Sequence, residues 1–326
     1  MKRILFTGSV IVFAMYFAMI TGCSSNKTNQ SDSTQTLKGV ISISGAFAMY
    51  PIVVKWAEEF KKLHPDVKID VSAGGAGKGM TDALSGMVDL GMVSRPISPE
   101  EVNKGAWFIA LTKDAVLPTI NINNPVSKEL MQQGLTKKQL ADVFLTEKKI
   151  TWGQLLKTNS TAKVVAYTRS DACGAAEMWG KYLGKNQESL TGIGVFGDPG
   201  IADAVKSDKN ALGFNNVIYV YDIKTRKPFL GMTVLPIDIN ENGKIDPEEN
   251  FYSSLDNVMS AISTGRYPSP PARDLYFVSK GSPKKYLVTA FIQWILTDGQ
   301  KYIPEAGYVG LPSEQIKTQL EKLNKK

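Results

Sequence analysis

Three segments of the chain each combine a turn or glycine-rich stretch with the predicted start of a helix. They lie at 44–47, 74–79 and 169–175, and two arginines, Arg95 and Arg169, stand at the ends of predicted strands. The first turn of a helix exposes backbone N–H groups at the positive end of the helix dipole, and these bind small oxyanions. A guanidinium adds two parallel donors that fit such an anion. The pattern therefore predicts an anion-binding cleft.

The candidate contacts are backbone amides from the three segments together with two arginines and one carboxylate. They are Gly45, Ala46, Phe47, Gly75, Ala76, Gly77, Cys173, Gly174 and Ala175, with the side chains of Arg95, Arg169 and Asp171. An ordinary salt bridge between Arg169 and Asp171 is the alternative to ligand contact. Asp171 has three possible roles, as a helix cap, as an orienting partner of Arg169, or as the acceptor of a proton from a protonated anion.

The spacing of apolar residues predicts an α/β fold. The first part of the chain reads as a strand at 40–45, a helix at 52–60, a strand at 67–71, a loop at 74–79, a helix at 80–87 and a strand that ends beside Arg95. This βαβ order favours a parallel sheet with helices on its faces. A crossover strand at 115–120 and a return strand at 276–278 predict that the chain leaves a first lobe and comes back to it.

Several of these motifs, in this order, resemble phosphate-binding proteins of ABC transporters. They are the turn at 45–51 with the helix residues 55–60, the glycine-rich segment 74–79, the strand end 94–96, and the segments 112–116, 135–152 and 169–174. The resemblance implies a two-lobed, periplasmic-binding-protein-like fold of type II, with a hinge and a ligand cleft between the lobes. Lobe I is expected at 38–119 and 273–326, and lobe II at 120–272.

The same resemblance implies a monomeric, non-enzymatic receptor that captures phosphate and presents it to an ABC permease. The chain departs from the family where hydroxyl side chains are expected, because Ala46 or Phe47, Ala76, Cys173 and Ala175 occupy those positions. These replacements keep the backbone N–H donors and remove the side-chain hydroxyl donors. Two alternatives therefore stay open: a receptor for another anion, such as an organic phosphate or carboxylate, and a calcium-stiffened surface scaffold or sensor without a transport role.

A twelve-residue segment at 238–249 matches the calcium loop of EF-hand proteins. The oxygen-bearing side chains at positions 1, 3, 5, 9 and 12 are Asp238, Asn240, Asn242, Asp246 and Glu249, with glycine at position 6. Lys244, at position 7, would contribute only its backbone carbonyl. An Asx-rich turn is the alternative. We expect a structural Ca²⁺ in an insertion of lobe II.

The N-terminus reads as a lipoprotein signal. Residues 1–22 comprise a basic start, an apolar run and small residues before Cys23, and 23–37 is a polar tether. Lipid on Cys23 would anchor an exported protein to a membrane face without crossing it. The alternative is a transmembrane anchor, for which the apolar run is at the short limit.

Charge and composition exclude other classes. The formal charge is +7, but the basic residues are scattered and form no stripe, so we expect no nucleic-acid partner.

Cys173 lies near a predicted helix start, where a thiolate would be stabilised. The chain has one histidine, His64, in a helix-to-strand turn with no reason to approach Cys173. Without a base, a catalytic dyad is not expected.

Overall fold

The computed structural model describes residues 37–325. The predicted signal peptide, Cys23 and nearly all of the tether therefore lie outside the described residues. Within 37–325, no helix combines the length and apolar character needed to cross a membrane.

The described part of the chain contains both strands and helices. The strands are β1 (Gly39–Gly45), β2 (Val67–Ala73), β3 (Leu90–Val93), β4 (Ala106–Asn121), β5 (Leu135–Thr136), β6 (Val165–Arg169), β7 (Ile193–Val195), β8 (Ala211–Asn216), β9 (Met232–Val234), β10 (Ile237–Asp238) and β11 (Ala272–Lys280). The helices are α1 (Tyr50–Leu63), α2 (Ala76–Ser85), α3 (Pro99–Asn103), α4 (Ser127–Gln133), α5 (Lys137–Phe144), α6 (Trp152–Leu156), α7 (Gly174–Tyr182), α8 (Gly197–Ser207), α9 (Leu255–Ser263), α10 (Tyr286–Leu296) and α11 (Ser313–Asn324).

One mixed sheet runs through residues 37–325. Its strand order is β2-β1-β3-β11-β4-β8-β6-β7, and β9 pairs with β4. The strands β1, β2 and β3 pair in parallel, and so do β8, β6 and β7. The long strands β4 and β11 run antiparallel to each other between these two groups. The parallel βαβ arrangement predicted for the first part of the chain is therefore present.

Two separate hydrophobic cores lie on either side of the middle of this sheet. We use lobe I for the core that includes β1–β3, α1, α2, α10 and the first half of β4, and lobe II for the core built on the second half of β4 and on β6, β8, α7 and α8. Along β4 the core changes between Leu111 and Ala115, before the lobe boundary predicted after residue 119. Along β11 it changes between Ala272 and Leu275.

The segment 74–79 is not a loop throughout, as the sequence had suggested, because α2 already begins at Ala76. Glycine at position 79 is required inside this helix, since a Cβ there would lie 2.5 Å from the carbonyl oxygen of Met92. A Cβ on Gly91 of β3 would in turn lie 2.2 Å from the oxygen of Gly79. Backbone packs directly on backbone here, and this contact outweighs the cost of about 1 kcal/mol for glycine in a helix.

Candidate functional site

The turn after β1 and the start of α2 are held side by side in lobe I. Ala46 donates its N–H to the carbonyl oxygen of Met92 at 2.9 Å. Gly74 and Gly75 donate theirs to the carbonyl oxygen of Gly45 at 2.8 and 3.1 Å. Because β1, β2 and β3 are parallel, their carboxyl ends lie at the same edge of the sheet, where ligands of open α/β sheets bind.

The segment after β6 in lobe II contacts this edge directly. Gly77 donates its N–H to the carbonyl oxygen of Ala172 at 3.1 Å. A Cβ on Gly75 would lie 2.9 Å from that same oxygen and 3.0 Å from Oδ2 of Asp171. Gly75 also has φ +91°, so both its backbone and its surroundings demand glycine. The two lobes are thus closed on each other at the predicted cleft.

Arg169, the last residue of β6, is buried and is held by two carboxylates. Its Nε and Nη2 donate to Oδ1 and Oδ2 of Asp171 at 2.8 and 2.6 Å, and its Nη1 donates to Oδ2 of Asp198 at 2.6 Å. Burial opposes the charged form, but the nearby carboxylates outweigh it and raise the pKa of Arg169. The salt bridge between Arg169 and Asp171 that stood as the alternative is therefore present, and it engages two of the five guanidinium N–H groups, while Asp198 engages a third.

Asp171 plays one of the three roles considered for it, as the orienting partner of Arg169, whereas Cys173 and not Asp171 caps α7. It orients Arg169 through the paired hydrogen bonds above, and its Oδ1 also accepts the N–H of Gly197 at 3.1 Å. Gly197 is the first residue of α8, so Asp171 satisfies an N–H at the start of that helix and not of α7. Both carboxylate oxygens therefore already accept hydrogen bonds from the protein.

A buried polar network runs from Arg169 to the centre of the sheet. Asp198 Oδ1 accepts a hydrogen bond from Asn216 Nδ2 at 2.6 Å, and Asn216 Oδ1 accepts one from Arg273 Nη2. Arg273 donates through Nε and Nη2 to the two carboxylate oxygens of Asp114 at 2.9 and 3.2 Å, and through Nη1 to the carbonyl oxygen of Gly174 at 2.9 Å. Gly174 begins α7, so the network reaches the cleft at two points.

Asp198, Asp114 and Arg273 were not among the candidate site residues predicted from the sequence. Asp198 follows β7 at the start of α8, the same kind of position that drew attention to Arg169, so that signal was available. Asp114 and Arg273 lie inside strands and carry no comparable local signal. Complete burial raises the pKa of Asp114 to about 6, and Arg273 acts in the opposite direction.

At least four of the nine candidate amides already donate to other protein groups. They are those of Ala46, Gly75, Gly77 and Cys173, the last bonded to Oε1 of Gln187 at 3.0 Å. The expectation that an anion can use every amide of the three segments is therefore wrong, because hydrogen bonds within turns and between the lobes already engage several of these amides. The amides of Ala76, Gly174 and Ala175 lie in the first turns of α2 and α7, where a helix supplies no acceptor of its own.

Phe47 covers Arg169 from the lobe I side. The Arg169 Cζ lies 5.7 Å from the centre of the Phe47 ring, within the range of a cation–π contact. The ring also meets Phe196 edge to face, with centroids 5.9 Å apart, and the Phe47 carbonyl oxygen accepts the hydroxyl of Tyr219 at 3.1 Å. A large aromatic group therefore lies against the guanidinium on the lobe I side of the cleft.

Cys173 is a helix cap. Its Sγ accepts the N–H of Ala176 at 3.3 Å, the position that a serine hydroxyl would fill at the start of α7. Burial raises the pKa of the thiol to about 12, so it stays protonated at neutral pH. His64 contacts the ring of Phe60 in lobe I, with ring centroids 4.5 Å apart. The thiol is therefore in its unreactive form, which agrees with the expectation that it is no nucleophile.

Arg95 is paired with an acidic side chain of its own lobe. Its Nη1 and Nη2 donate to the two carboxylate oxygens of Glu101 at 2.9 and 2.6 Å, and Glu101 also closes the capping box of α3 with Ser98. Arg95 lines a cavity of about 460 Å³ between the lobes, together with Ala172 and Cys173. Arg95 therefore lies at the mouth of the cleft, and both of its terminal nitrogens donate hydrogen bonds to Glu101.

The segment 238–249 folds as a compact loop after β10. Oδ2 of Asp238 accepts the N–H of Gly243 at 2.8 Å, and Gly243 has φ +85°. Oε1 of Glu249 accepts the N–H groups of Ile239 and Asn240 at 2.8 and 3.0 Å. Asp238 and Glu249, the first and last ligand positions, are both buried. The loop backbone is therefore organised around its two terminal carboxylates.

The middle positions of the loop face Asp246. Its Oδ2 accepts hydrogen bonds from the side-chain amides of Asn240 and Asn242 at 3.0 and 2.6 Å, and Lys244 Nζ lies 2.7 Å from its Oδ1. Lys244 and the two amides hold the pKa of Asp246 at about 2. Within residues 37–325, no three His, Cys, Asp or Glu side chains are grouped as a metal site. Calcium binding stays a prediction.

Comparison with known proteins supplies the family. The model of the PBP superfamily domain matches residues 26–299. The chain belongs to the PBP superfamily. Its non-enzymatic character agrees with this membership, since the curated relatives are named as binding proteins.

Two curated relatives are similar over nearly their whole length. The phosphate-binding protein PstS of Methanocaldococcus jannaschii is 27% identical over 364 residues, covering 94% of this chain and 91% of the relative. The phosphate-binding protein PstS of Staphylococcus epidermidis is 24% identical over 329 residues, covering 99% and 94%. The resemblance drawn from the sequence motifs is therefore confirmed.

Solved structures confirm the two-lobed α/β fold. A Clostridium perfringens protein crystallised with bound phosphate superposes with a TM-score of 0.67 at 24% identity, covering 84% of this chain and all of that chain. An ABC-type phosphate transport receptor from Vibrio cholerae superposes with a TM-score of 0.59 at 20% identity, covering 83% and 100%. At these identities the likeness establishes the fold.

Proposed function

We propose that this protein is an exported, lipid-anchored solute-binding protein that captures phosphate or a related oxyanion and presents it to an ABC permease. The observation that carries the proposal is the position of Arg169. This buried, permanently charged guanidinium pairs with Asp171, and Oδ2 of Asp171 would lie 3.0 Å from a Cβ on Gly75, the residue before α2. The names of the relatives support phosphate as the first ligand to test.

Binding is proposed to couple to closure of the lobes. The donors come from both sides of the cleft, because Ala76 belongs to lobe I while Arg169, Gly174 and Ala175 belong to lobe II. An anion that contacts both sets binds the closed form more tightly than the open form and shifts the population towards it. The strands β4 and β11 are the connections about which this movement would occur.

Titration calorimetry tests the binding proposal. The full-length protein, dialysed free of anions, is titrated with inorganic phosphate and with sulfate. We expect phosphate binding by the natural protein, loss of that binding in Arg169→Ala and Arg169→Lys, and no change in Arg266→Ala, because Arg266 is exposed and lies after the end of α9. Circular dichroism shows whether the Arg169 variants are folded. Absence of oxyanion binding by the folded natural protein at millimolar concentration contradicts the proposal and favours a scaffold or sensor.

We also propose that the loop 238–249 binds a structural Ca²⁺. The ligand types at all side-chain positions fit this ion, which prefers oxygen ligands, and two of the carboxylates are already buried. When bound, the ion would be held by Asp238, Asn240, Asn242, Asp246 and Glu249, with the carbonyl of Lys244. The loop is also tied to lobe II, because Ile245 donates its N–H to the carbonyl oxygen of Gln132 at 2.8 Å.

A further inference from the structure

We propose that the cleft prefers a phosphoryl group that carries one organic substituent, as in a phosphate monoester or a phosphonate, over inorganic phosphate. The substituent would lie against Phe47 and Phe196, with the phosphoryl oxygens at Arg169 and the first turns of α2 and α7. This inference rests on the proposed function, since it names the ligand class of the same cleft.

The cleft offers few side-chain hydrogen-bond donors to an anion. Inorganic phosphate presents four oxygens, and each of them must exchange its hydrogen bonds with water for bonds with the protein. Here Ala76 and Ala175 have no hydroxyl, and the Sγ of Cys173 serves as an acceptor for the N–H of Ala176. A phosphoryl group with one substituent has only three such oxygens directed at the donors. It leaves fewer oxygens without a partner in this cleft.

Two aromatic side chains, Phe47 and Phe196, also lie in a row between the guanidinium of Arg169 and the solvent. The ring of Phe47 lies 5.7 Å from the Arg169 Cζ on one side and 5.9 Å from the ring of Phe196 on the other. Phe196 is 62% exposed, although it is a large apolar residue. An apolar substituent on the ligand would cover this ring and remove apolar surface from water.

The pair is held in place by its neighbours. A Cβ on Gly197 would lie 3.3 Å from Cζ of Phe47, so the start of α8 fits closely against the Phe47 ring. The hydroxyl of Tyr219 fixes the backbone of Phe47 through its carbonyl oxygen. Because Phe47 belongs to lobe I and Phe196 to lobe II, the contact also joins the lobes. The competing explanation is therefore that the Phe47–Phe196 pair only joins the lobes and contacts no ligand.

The test is a calorimetric comparison of three probes with the full-length protein and two variants. The probes are inorganic phosphate, methylphosphonate and phenyl phosphate. The variants are Phe196→Ala and, as a matched control, Leu230→Ala, which removes a 93% exposed apolar side chain in the segment just before β9.

We expect phenyl phosphate to bind the natural protein about tenfold more tightly than inorganic phosphate. Phe196→Ala should lose most of that preference, because its affinity for phenyl phosphate should fall more than its affinity for inorganic phosphate, and Leu230→Ala should behave as the natural protein. Two results overturn the inference and leave the proposed function standing. One is inorganic phosphate binding as tightly as phenyl phosphate, and the other is an equal loss for all probes in Phe196→Ala, which identifies a lobe contact. If no probe binds, the proposed function fails as well.

Discussion

Arg273 and Asp114 face each other across β11 and β4, the two strands that connect the lobes. They are register partners in the antiparallel pair, and their side chains are 1% and 2% exposed. The guanidinium of Arg273 also reaches the carbonyl oxygen of Gly174 at the start of α7. The strands that connect the lobes and the proposed anion cleft therefore share one buried charged group.

Removing one partner of this pair should destabilise the protein strongly. Asp114→Asn leaves the buried Arg273 without its counter-charge, which typically costs about 3–5 kcal/mol in the free energy of unfolding. Urea unfolding followed by circular dichroism measures the change. Asp142→Asn, which breaks the exposed pair with Lys138, is the control and should cost about 0–1 kcal/mol. Equal effects of the two substitutions would contradict the importance of the Asp114 pair.

Replacing Cys173 by serine should keep or tighten phosphate binding. The serine oxygen would cap α7 as the sulfur does now, and its hydroxyl hydrogen would give the cleft one more donor. Calorimetry with inorganic phosphate measures the affinity, with Cys173→Ala as the matched control that adds no donor. A clear loss of affinity in the serine variant, with the fold intact, would speak against a donor role at this position.

The thiol of Cys173 should resist alkylation in the folded protein. Its pKa is raised to about 12 from 9.0, so the reactive thiolate is scarce at neutral pH. Because the folded pKa is the higher one, the stability linked to the protonated thiol is fully present below pH 9.0 and is lost as the pH rises towards about 12. Mass spectrometry after iodoacetamide treatment, with and without urea, follows the reaction. Rapid alkylation of the folded protein would contradict this prediction.

Calcium should stabilise the protein through the loop 238–249. A ligand that binds only the folded state raises the melting temperature, and millimolar Ca²⁺ occupies sites with Kd of about 10⁻⁴–10⁻³ M. Asp238→Ala and Glu249→Ala should abolish the difference between melting curves in Ca²⁺ and in EDTA. Glu248→Ala changes an acidic residue of the same loop at a position that supplies no ligand, and should retain the difference. Identical curves for the natural protein in Ca²⁺ and EDTA would refute the site.

Lipid on Cys23 should hold the protein at a membrane. Cys23→Ala removes the thiol that would carry the acyl chains, so the protein should lose palmitate label and leave the membrane fraction or remain as an uncleaved precursor. Cell fractionation with metabolic palmitate labelling measures both. Ser24→Ala is the neighbouring control and should stay anchored. A labelled, cleaved Cys23→Ala variant would rule out this lipidation site.

Much of the architecture could be predicted from the sequence because the signals are local. The apolar spacing of Ile52, Val53, Trp56 and Phe60 is repeated in the buried face of α1. The strand, turn and glycine pattern around 40–95 identified the family and the edge of the sheet where the segments meet. The start of α2 was misplaced, since glycine-rich segments read as loops unless a close backbone contact is known to require them.

Only the tertiary structure decided which charges meet in the cleft. Arg169 and its predicted neighbour Asp171 are two residues apart, and that pairing was visible in the sequence. Asp198 is 29 residues from Arg169, and Asp114 is 159 residues from Arg273. Such pairs depend on the order of the strands in the sheet and on which helix starts lie beside them. The spacing of residues along a short segment does not determine either of these. The residue types proposed to bind an anion can thus be read from the sequence, whereas packing between the lobes decides how many of their donors are already engaged.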